Sequence, residues 1–176
     1  MEVDLRYPIG AFILPESPTA QERTLWMADI AAAPVRLRLA VAGLSQPQLN
    51  TPYREAGWTA RQVVHHLAES HLVAFTRMKF ALVEESPTAK SYDEARWVEL
   101  PDYDSTPLEV SMTLLEALHA RWIYLLAGLS EEQFARRFRH PTFGLIRLDQ
   151  QLARTAWHGR HHVAHITSLR ERMRWN

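Results

Sequence analysis

Apolar residues recur at helical spacing along most of this chain, and clusters of proline, glycine and polar residues separate the helical stretches. Residues 1–17 contain two prolines and a glycine without a helical period, so we predict an extended N-terminal arm. Ser17–Pro18 has the form of an N-cap followed by proline in the first helical turn. A helix is expected from there to about Ala33, where Pro34 either kinks it or divides it from a second helix ending near Gly43.

Three further long helices are predicted, at about residues 59–85, 105–127 and 149–173. Thr59 and Gln62 have the spacing of a capping box at the start of the first of these helices. Gly128 is placed to cap the end of the second, and Asp149 to cap the start of the third. Residues 138–147 are expected to form a turn or a short hairpin, and no stretch alternates strongly enough to build a larger sheet.

The predicted elements define an all-α fold, most simply a four-helix bundle with an N-terminal extended arm. Loops at about 45–57 and 86–104, and a short helix after Ser130, would connect the long helices. A length of 176 residues fits a single domain, residues 1–176, that can bury a full core without disulfides.

Composition excludes several classes of protein. The chain has no cysteine, so disulfide scaffolds, zinc fingers and cysteine nucleophiles are ruled out. Lysine plus arginine and aspartate plus glutamate number 20 each, and this neutral balance argues against a nucleic-acid partner. The first residues lack the pattern of a signal peptide, and no apolar run approaches the roughly 20 residues of a membrane span. We expect a cytoplasmic protein without a membrane partner.

The most informative segment is Trp157–His165, which places four histidines within three turns of the last predicted helix. Each residue turns about 100° around a helix axis, which puts His162 on the apolar stripe of that helix and His158 about 40° to one side. His161 is displaced by about 100° and is expected near solvent. His158 and His162 therefore form the inward pair, and His161 and His165 the outer pair.

Two interpretations of the inward pair are open. An isolated inward histidine is usually a hydrogen-bonded core residue. Two of them at i and i+4 also have the spacing with which one helix offers two nitrogens to a metal ion. Burying both without a partner would cost several kcal/mol, and a shared metal would remove that cost.

The second long helix offers candidates for a third ligand. His71 lies on its main apolar stripe and His66 lies beside that stripe, and periodicity does not choose between them. His119 and His140 stand alone in sequence and are interpreted as surface residues or as hydrogen-bond partners of a ligand. Glu69 is placed either to accept a hydrogen bond from a ligating imidazole or to lie solvated at the surface.

Beyond these residues, the chain resembles the DinB/YfiT-like metalloprotein superfamily, and most closely its YfiT branch of metal-dependent hydrolases. The resemblance spans nearly the whole chain, in order, and its most specific segment is Gly57–His71. The other segments that carry it are Tyr7–Gly10, Thr51–Arg54, His119–Trp122, His140–Pro141 and Trp157–Ile166.

The resemblance implies a four-helix bundle that holds one divalent metal per subunit through three histidines, with Zn²⁺ as the expected ion and Ni²⁺ as the alternative. It also implies a homodimer of the cytoplasm. By position, the first ligand of the family corresponds to His66, the histidine just before Leu-Ala, and the other two to His158 and His162. This assignment agrees with the helix-wheel argument for the last helix.

The expected function is that of a metal-dependent enzyme, provisionally a hydrolase, in which a metal-bound water attacks a small-molecule substrate. The same metal site could instead bind a low-molecular-weight thiol as the thiolate. The resemblance supports this alternative, because the wider superfamily includes bacillithiol S-transferases. A third possibility is a non-catalytic helical protein with a structural metal. Arg54, in the loop before the ligand helix, is either a clamp for an anionic substrate or a surface ion-pair partner.

Overall fold

The computed structural model of the protein describes residues 4–175. In chain order, its elements over these residues are α1 (Ala20–Val41), α2 (Gln46–Leu49), α3 (Ala60–Val83), α4 (Glu94–Trp97), α5 (Asp102–Ser105), α6 (Leu108–Ala127), α7 (Glu131–Phe134), β1 (Arg137–His140), β2 (Gly144–Arg147) and α8 (Leu148–Met173). Within this range, no helix is both long and apolar enough to cross a bilayer.

The four long helices form the predicted bundle. Helix α1 packs against α8 and α6, and α3 packs against the same two helices, so that α1 and α3 lie diagonally opposite each other. The capping box predicted at Thr59 and Gln62 starts α3. Gly128 caps the end of α6 as predicted.

Helix α1 begins two residues later than predicted, and of the two alternatives left open at Pro34 the structure shows a single helix. It begins after a capping box between Thr19 and Glu22, and it runs through Pro34 as one helix of 22 residues. Ile30 and Leu37, one turn before and one turn after the proline, are each only 1 % exposed. Burial of apolar residues on both sides therefore outweighs the backbone hydrogen bond that the proline cannot donate.

The buried interior consists of two apolar clusters with a polar layer between them. One cluster contains Trp122 and Met78, and the other contains Leu67 and Leu115. Buried histidines near the junction of the two clusters lie on three of the four long helices: His71 on α3, His119 on α6 and His162 on α8. The bundle thus has a band of imidazole rings across its middle.

The N-terminal arm has no helix or strand between residues 4 and 19 and runs along α8. Three hydrogen bonds fasten it there. The Gln150 side chain donates to the Pro15 carbonyl at 2.7 Å, and the Trp157 indole donates to the Gly10 carbonyl at 3.3 Å. An imidazole nitrogen of His165 lies 3.2 Å from the carbonyl of Arg6.

The start of α8 also differs from the prediction, because Asp149 lies inside the first turn and Arg147 is the N-cap. The Asp149 carboxylate is fully buried and pairs with Arg147 at 2.6 Å and with Arg23 at 3.8 Å. The segment before it forms the antiparallel hairpin of β1 and β2, with Phe138 paired to Ile146. Both of these side chains pack into the apolar cluster around Trp122.

Candidate metal centre

The three histidines suggested by the sequence meet at one point between α3 and α8. One imidazole nitrogen from each of His66, His158 and His162 lies within 4.8 Å of the others. The ring centroids of His158 and His162 are 4.4 Å apart, as the i and i+4 spacing requires. The ring of His66 approaches them from α3, with centroids 4.8 Å from His162 and 5.4 Å from His158.

A chain of hydrogen bonds determines which nitrogen of His158 is free. His119 Nδ1 lies 2.6 Å from the carbonyl of Ile30, which can only accept, so this nitrogen carries the proton. His119 Nε2 therefore accepts from His71 Nδ1 at 2.7 Å. His71 Nε2 in turn accepts from His158 Nδ1 at 3.3 Å. As long as these rings are neutral, His158 Nε2 is left with an unshared lone pair.

A second, shorter chain has the same effect on His162. The carbonyl of Arg6 accepts from His165 Nε2 at 3.2 Å, so His165 Nδ1 has no proton. His162 Nδ1, at 3.3 Å, donates to that nitrogen, and His162 Nε2 then has no proton either. The carbonyls of Ile30 on α1 and of Arg6 in the arm thus determine the tautomers of His158 and His162 through the intervening histidines.

The two lone pairs face each other, because His158 Nε2 and His162 Nε2 are 3.1 Å apart. Two acceptors at this distance repel each other unless a cation lies between them. Two nitrogens on a tetrahedral zinc ion, with bonds of about 2.0–2.1 Å, would stand about 3.3 Å apart. The donor set therefore fits a divalent metal in chemistry and in spacing.

The pKa values of the three histidines also favour the binding of a metal ion. Burial lowers the pKa of His158 and of His162 well below the ordinary value of 6.5, and each ring's neighbouring histidines lower it further. Burial likewise lowers the pKa of His66 to about 3. The three rings are consequently neutral at pH 7, which is the form that binds a metal ion.

The prediction that His161 lies near solvent is wrong, since this residue is only 7 % exposed. Trp157 stacks on its ring with centroids 4.3 Å apart, and Tyr7 of the arm lies 5.9 Å away. The arm covers the face of α8 that a bare helix would expose. His165, the other member of the predicted outer pair, is also buried.

A second group of nitrogens, from His161, His162 and His165, also lies within 4.8 Å. Both nitrogens of His165 already have hydrogen-bond partners, whereas His158 Nε2 in the first group has, among residues 4–175, only His162 Nε2 as a neighbour at hydrogen-bond distance. The hydrogen bonds therefore favour the group that includes His66 and His158 as the place for a metal ion.

The remaining candidates from the sequence occupy other positions. Glu69 accepts a hydrogen bond from Tyr103, and not from a histidine. His119 and His140 are buried, so the surface alternative is wrong for both. On α8, between the two candidate ligand histidines, Gly159 allows a close approach of α1 and α3, because a Cβ there would lie 3.4 Å from the Cβ of Ala33 on α1 and 3.6 Å from the ring of His71 on α3.

A cavity of about 400 Å³ opens beside the three histidines, and all three line it. Arg54 lines the same cavity, with Nη1 donating to the carbonyl of Glu55 at 2.8 Å, and it makes no ion pair within residues 4–175. The space is large enough for a small organic molecule, the kind of ligand for which pockets of this size are typical.

A four-helix bundle with an inward cluster of histidines beside a cavity defines a class of helical metal-binding proteins. Residues 29–166 match the family described as the DinB superfamily, and the chain belongs to this family. The resemblance inferred from the sequence is thereby confirmed.

Two relatives that cover nearly the whole chain are each 48 % identical to it, over 98 % of this chain and 99 % of their own length. They are proteins of Bacillus cereus strain AH820 and of Bacillus anthracis, and both carry the name "Putative metal-dependent hydrolase".

Solved structures agree with this relationship. YfiT from Bacillus subtilis, described as a "probable metal-dependent hydrolase" with an unusual four-helix bundle topology, matches with a TM-score of 0.95. It is 44 % identical, and the match covers 98 % of this chain and 99 % of YfiT. A second four-helix bundle protein, TT2238, matches with a TM-score of 0.58 at 21 % identity, over 80 % of this chain and 94 % of its own, and supports the fold alone.

Proposed function

We propose that the protein is a metal-dependent enzyme whose single divalent ion per subunit is held by His66, His158 and His162. The observation that carries the proposal is the approach of two unprotonated nitrogens to 3.1 Å, with a third histidine beside them. The names of the relatives support metal dependence. Zn²⁺ is the expected ion and Ni²⁺ the alternative, because neutral imidazoles suit both.

When bound, such an ion supplies a Lewis acid that lowers the pKa of a coordinated water or thiol toward neutrality. The contribution of the chain is to keep the three imidazoles neutral and correctly oriented, and to offer a small-molecule substrate the adjoining cavity. Hydrolysis is the first candidate reaction, and the names of the relatives support it.

Transfer of a thiol to an electrophile is the second candidate, and one feature of the cavity favours it. Among residues 4–175, the carboxylate that lines the cavity is that of Glu94, which is exposed on the short helix α4. A hydrolase uses a nearby general base to remove a proton from water. A thiol has a lower pKa than water and depends less on a general base. The shortage of carboxylates beside the histidines therefore favours the thiol transferase over the hydrolase.

Elemental analysis of the purified protein and of the variant His162→Ala tests the metal site. The wild type is expected to carry close to one equivalent of metal, and the variant to lose most of it. His65→Ala is a matched control, because His65 is also buried but bonds to Ser111 Oγ at 2.7 Å, outside the cluster. Equal metal in the wild type and in His162→Ala, or none in either, would refute the site.

Activity assays with and without a low-molecular-weight thiol separate the two reactions. Ester or amide cleavage without added thiol would support the hydrolase. Consumption of an electrophile that requires the thiol, and that His162→Ala abolishes, would support the transferase. The homodimer and the cytoplasmic location stay predictions from the resemblance.

A further inference from the structure

The cavity beside the histidines has a second chemical feature, at the end where α3 and α8 carry arginines. Arg77 of α3 and Arg154 of α8 both line this cavity. Within residues 4–175, no carboxylate lies within 4.0 Å of either guanidinium. A guanidinium away from bulk water is costly unless a counter-charge compensates it.

The two guanidiniums are held in place by neutral groups. Arg77 Nη2 donates to the carbonyl of Lys90 at 2.6 Å, and its Nε is buried without a partner among the described residues. The guanidinium of Arg154 lies 6.0 Å from the ring centre of Phe143. Burial is the largest cause that lowers the pKa of each arginine, and for Arg154 the second cause is the charge of Arg77; the carboxylate of Glu94 raises both pKa values as a smaller cause.

His140 adds a third donor at the same end of the cavity. Its Nδ1 accepts from the backbone nitrogen of Thr142 at 3.1 Å, so the proton of the neutral ring is on Nε2. That Nε2 is buried without a partner in the part of the chain that the structure describes, and the whole residue is 5 % exposed. His140 lines the cavity and lies beside the same Phe143, with ring centroids 5.1 Å apart.

We infer that this end of the cavity is a binding subsite for an oxyanion, a carboxylate or a phosphate group of the substrate, held by Arg77, Arg154 and His140. Guanidinium groups and a neutral imidazole N–H offer only donors, and an oxyanion offers only acceptors. The inference deepens the proposed function and rests on it for the role of substrate, while the anion site itself can be tested without a metal.

The position of the subsite relative to the histidines sets the expected distance between the reacting group and the anionic group of the substrate. Arg154, His158 and His162 are four residues apart in turn, so they lie on one face of α8. Four residues correspond to a rise of about 6 Å along a helix. The reacting group is therefore expected beside His158 and His162, with the anionic group about one helical turn away.

The test uses the full chain after removal of metal by a chelator, with inorganic phosphate and acetate as probes. Binding is followed through the ¹H–¹⁵N signals of the arginine side chains, and acetamide serves as the uncharged analogue of acetate. Phosphate or acetate should shift the signals of Arg77 and Arg154 saturably, and the stronger of the two identifies the anion class. Acetamide should leave them unchanged.

Variants localise the site. Arg154→Gln should weaken binding about tenfold or more, because it removes a charge-assisted hydrogen bond. Arg121→Gln, a change at an exposed arginine away from the cavity, should leave it unchanged. Glu94→Gln should tighten binding by up to about fivefold, since it removes an exposed negative charge from the cavity wall. Arg154→Lys replaces the glutamine variant if the latter fails to fold.

Three results would overturn the inference: unchanged binding in Arg154→Gln, equal binding of acetamide, or loss of binding in Arg54→Gln instead. Elemental analysis of the untreated protein keeps this test separate from the proposed function. Saturable phosphate binding in a protein that carries no metal would support the anion subsite and refute the metal centre. Bound metal in a protein that binds neither phosphate nor acetate would support the metal centre and refute the anion subsite.

Discussion

Replacing His71 by phenylalanine tests whether the hydrogen-bond chain, and not only the three proposed ligands, prepares the metal centre. His71 bonds His119 Nε2 at 2.7 Å and His158 Nδ1 at 3.3 Å, so the change removes a partner from an acceptor and from a donor. Each buried group left unsatisfied costs about 1–3 kcal/mol. The free energy of unfolding should therefore fall by about 2–6 kcal/mol.

The same change should weaken metal binding about 10- to 100-fold, the usual effect of removing a hydrogen-bond partner of a ligating histidine. Without His71, the ring of His158 can turn, and its proton can move to the nitrogen that faces His162. Zinc affinity is measured by competition with a chromogenic chelator. Long-range ¹H–¹⁵N spectra of the metal-free protein report which nitrogen of His158 carries the proton.

His65→Phe is the matched control for this experiment. His65 is buried like His71 on the same helix, but it bonds to Ser111 on α6. This variant should lose stability while its zinc affinity stays within about twofold of the wild type. Equal affinities for the two phenylalanine variants, or a wild-type His158 protonated at Nε2, would refute the reasoning.

Three further predictions concern stability. Gly159→Ala should raise the free energy of unfolding by up to about 1 kcal/mol in urea titrations, because the added Cβ makes ordinary contacts and alanine favours the helix; a loss would contradict this. Asp149→Asn should cost about 1–3 kcal/mol, since Arg147 and Arg23 lose a buried partner while Arg23 keeps its ion pair with Glu131; an unchanged free energy of unfolding would contradict this. Burial lowers the pKa of His140 from 6.5 to about 4, so the unfolded chain binds more protons between these values. The free energy of unfolding should therefore fall as the pH is lowered from about 6.5 to 4, by up to about 1.4 kcal/mol per pH unit for this residue, and less steeply in His140→Gln. Equal slopes in the wild type and the variant would exclude this contribution of His140.

Local sequence signals predicted the helix ends that depend on interactions between residues close together in the chain. The capping box at Thr59 and the glycine after Ala127 mark helix ends through bonds that close within a few residues. At Pro34 the sequence left a single helix and two helices open, because the rule for a helix breaker concerns the backbone alone. Here, apolar residues on both sides of the proline are buried in the bundle, and their packing keeps the helix continuous.

The burial of His161 could not be predicted for a related reason. A helical wheel treats every direction away from the core stripe as solvent. The N-terminal arm has no periodicity, so nothing in its sequence indicates that Tyr7 comes to lie against this histidine. The sequence left the roles of His71 and His119 open, and the hydrogen bond between them could not be predicted because the two residues are 48 positions apart in the chain.

Helical periodicity alone determined that this chain is an all-α protein, and the i and i+4 histidines alone indicated a pair of inward imidazoles on the last helix. Both properties depend on the repeat of the helix, which the sequence displays directly. Only the tertiary structure decided which nitrogen of each imidazole carries the proton. It also decided which arginines lie beside these imidazoles without a carboxylate in contact. Those properties depend on the carbonyls of Ile30 and Arg6 and on the packing of α3 against α8, contacts between segments that are distant in the chain.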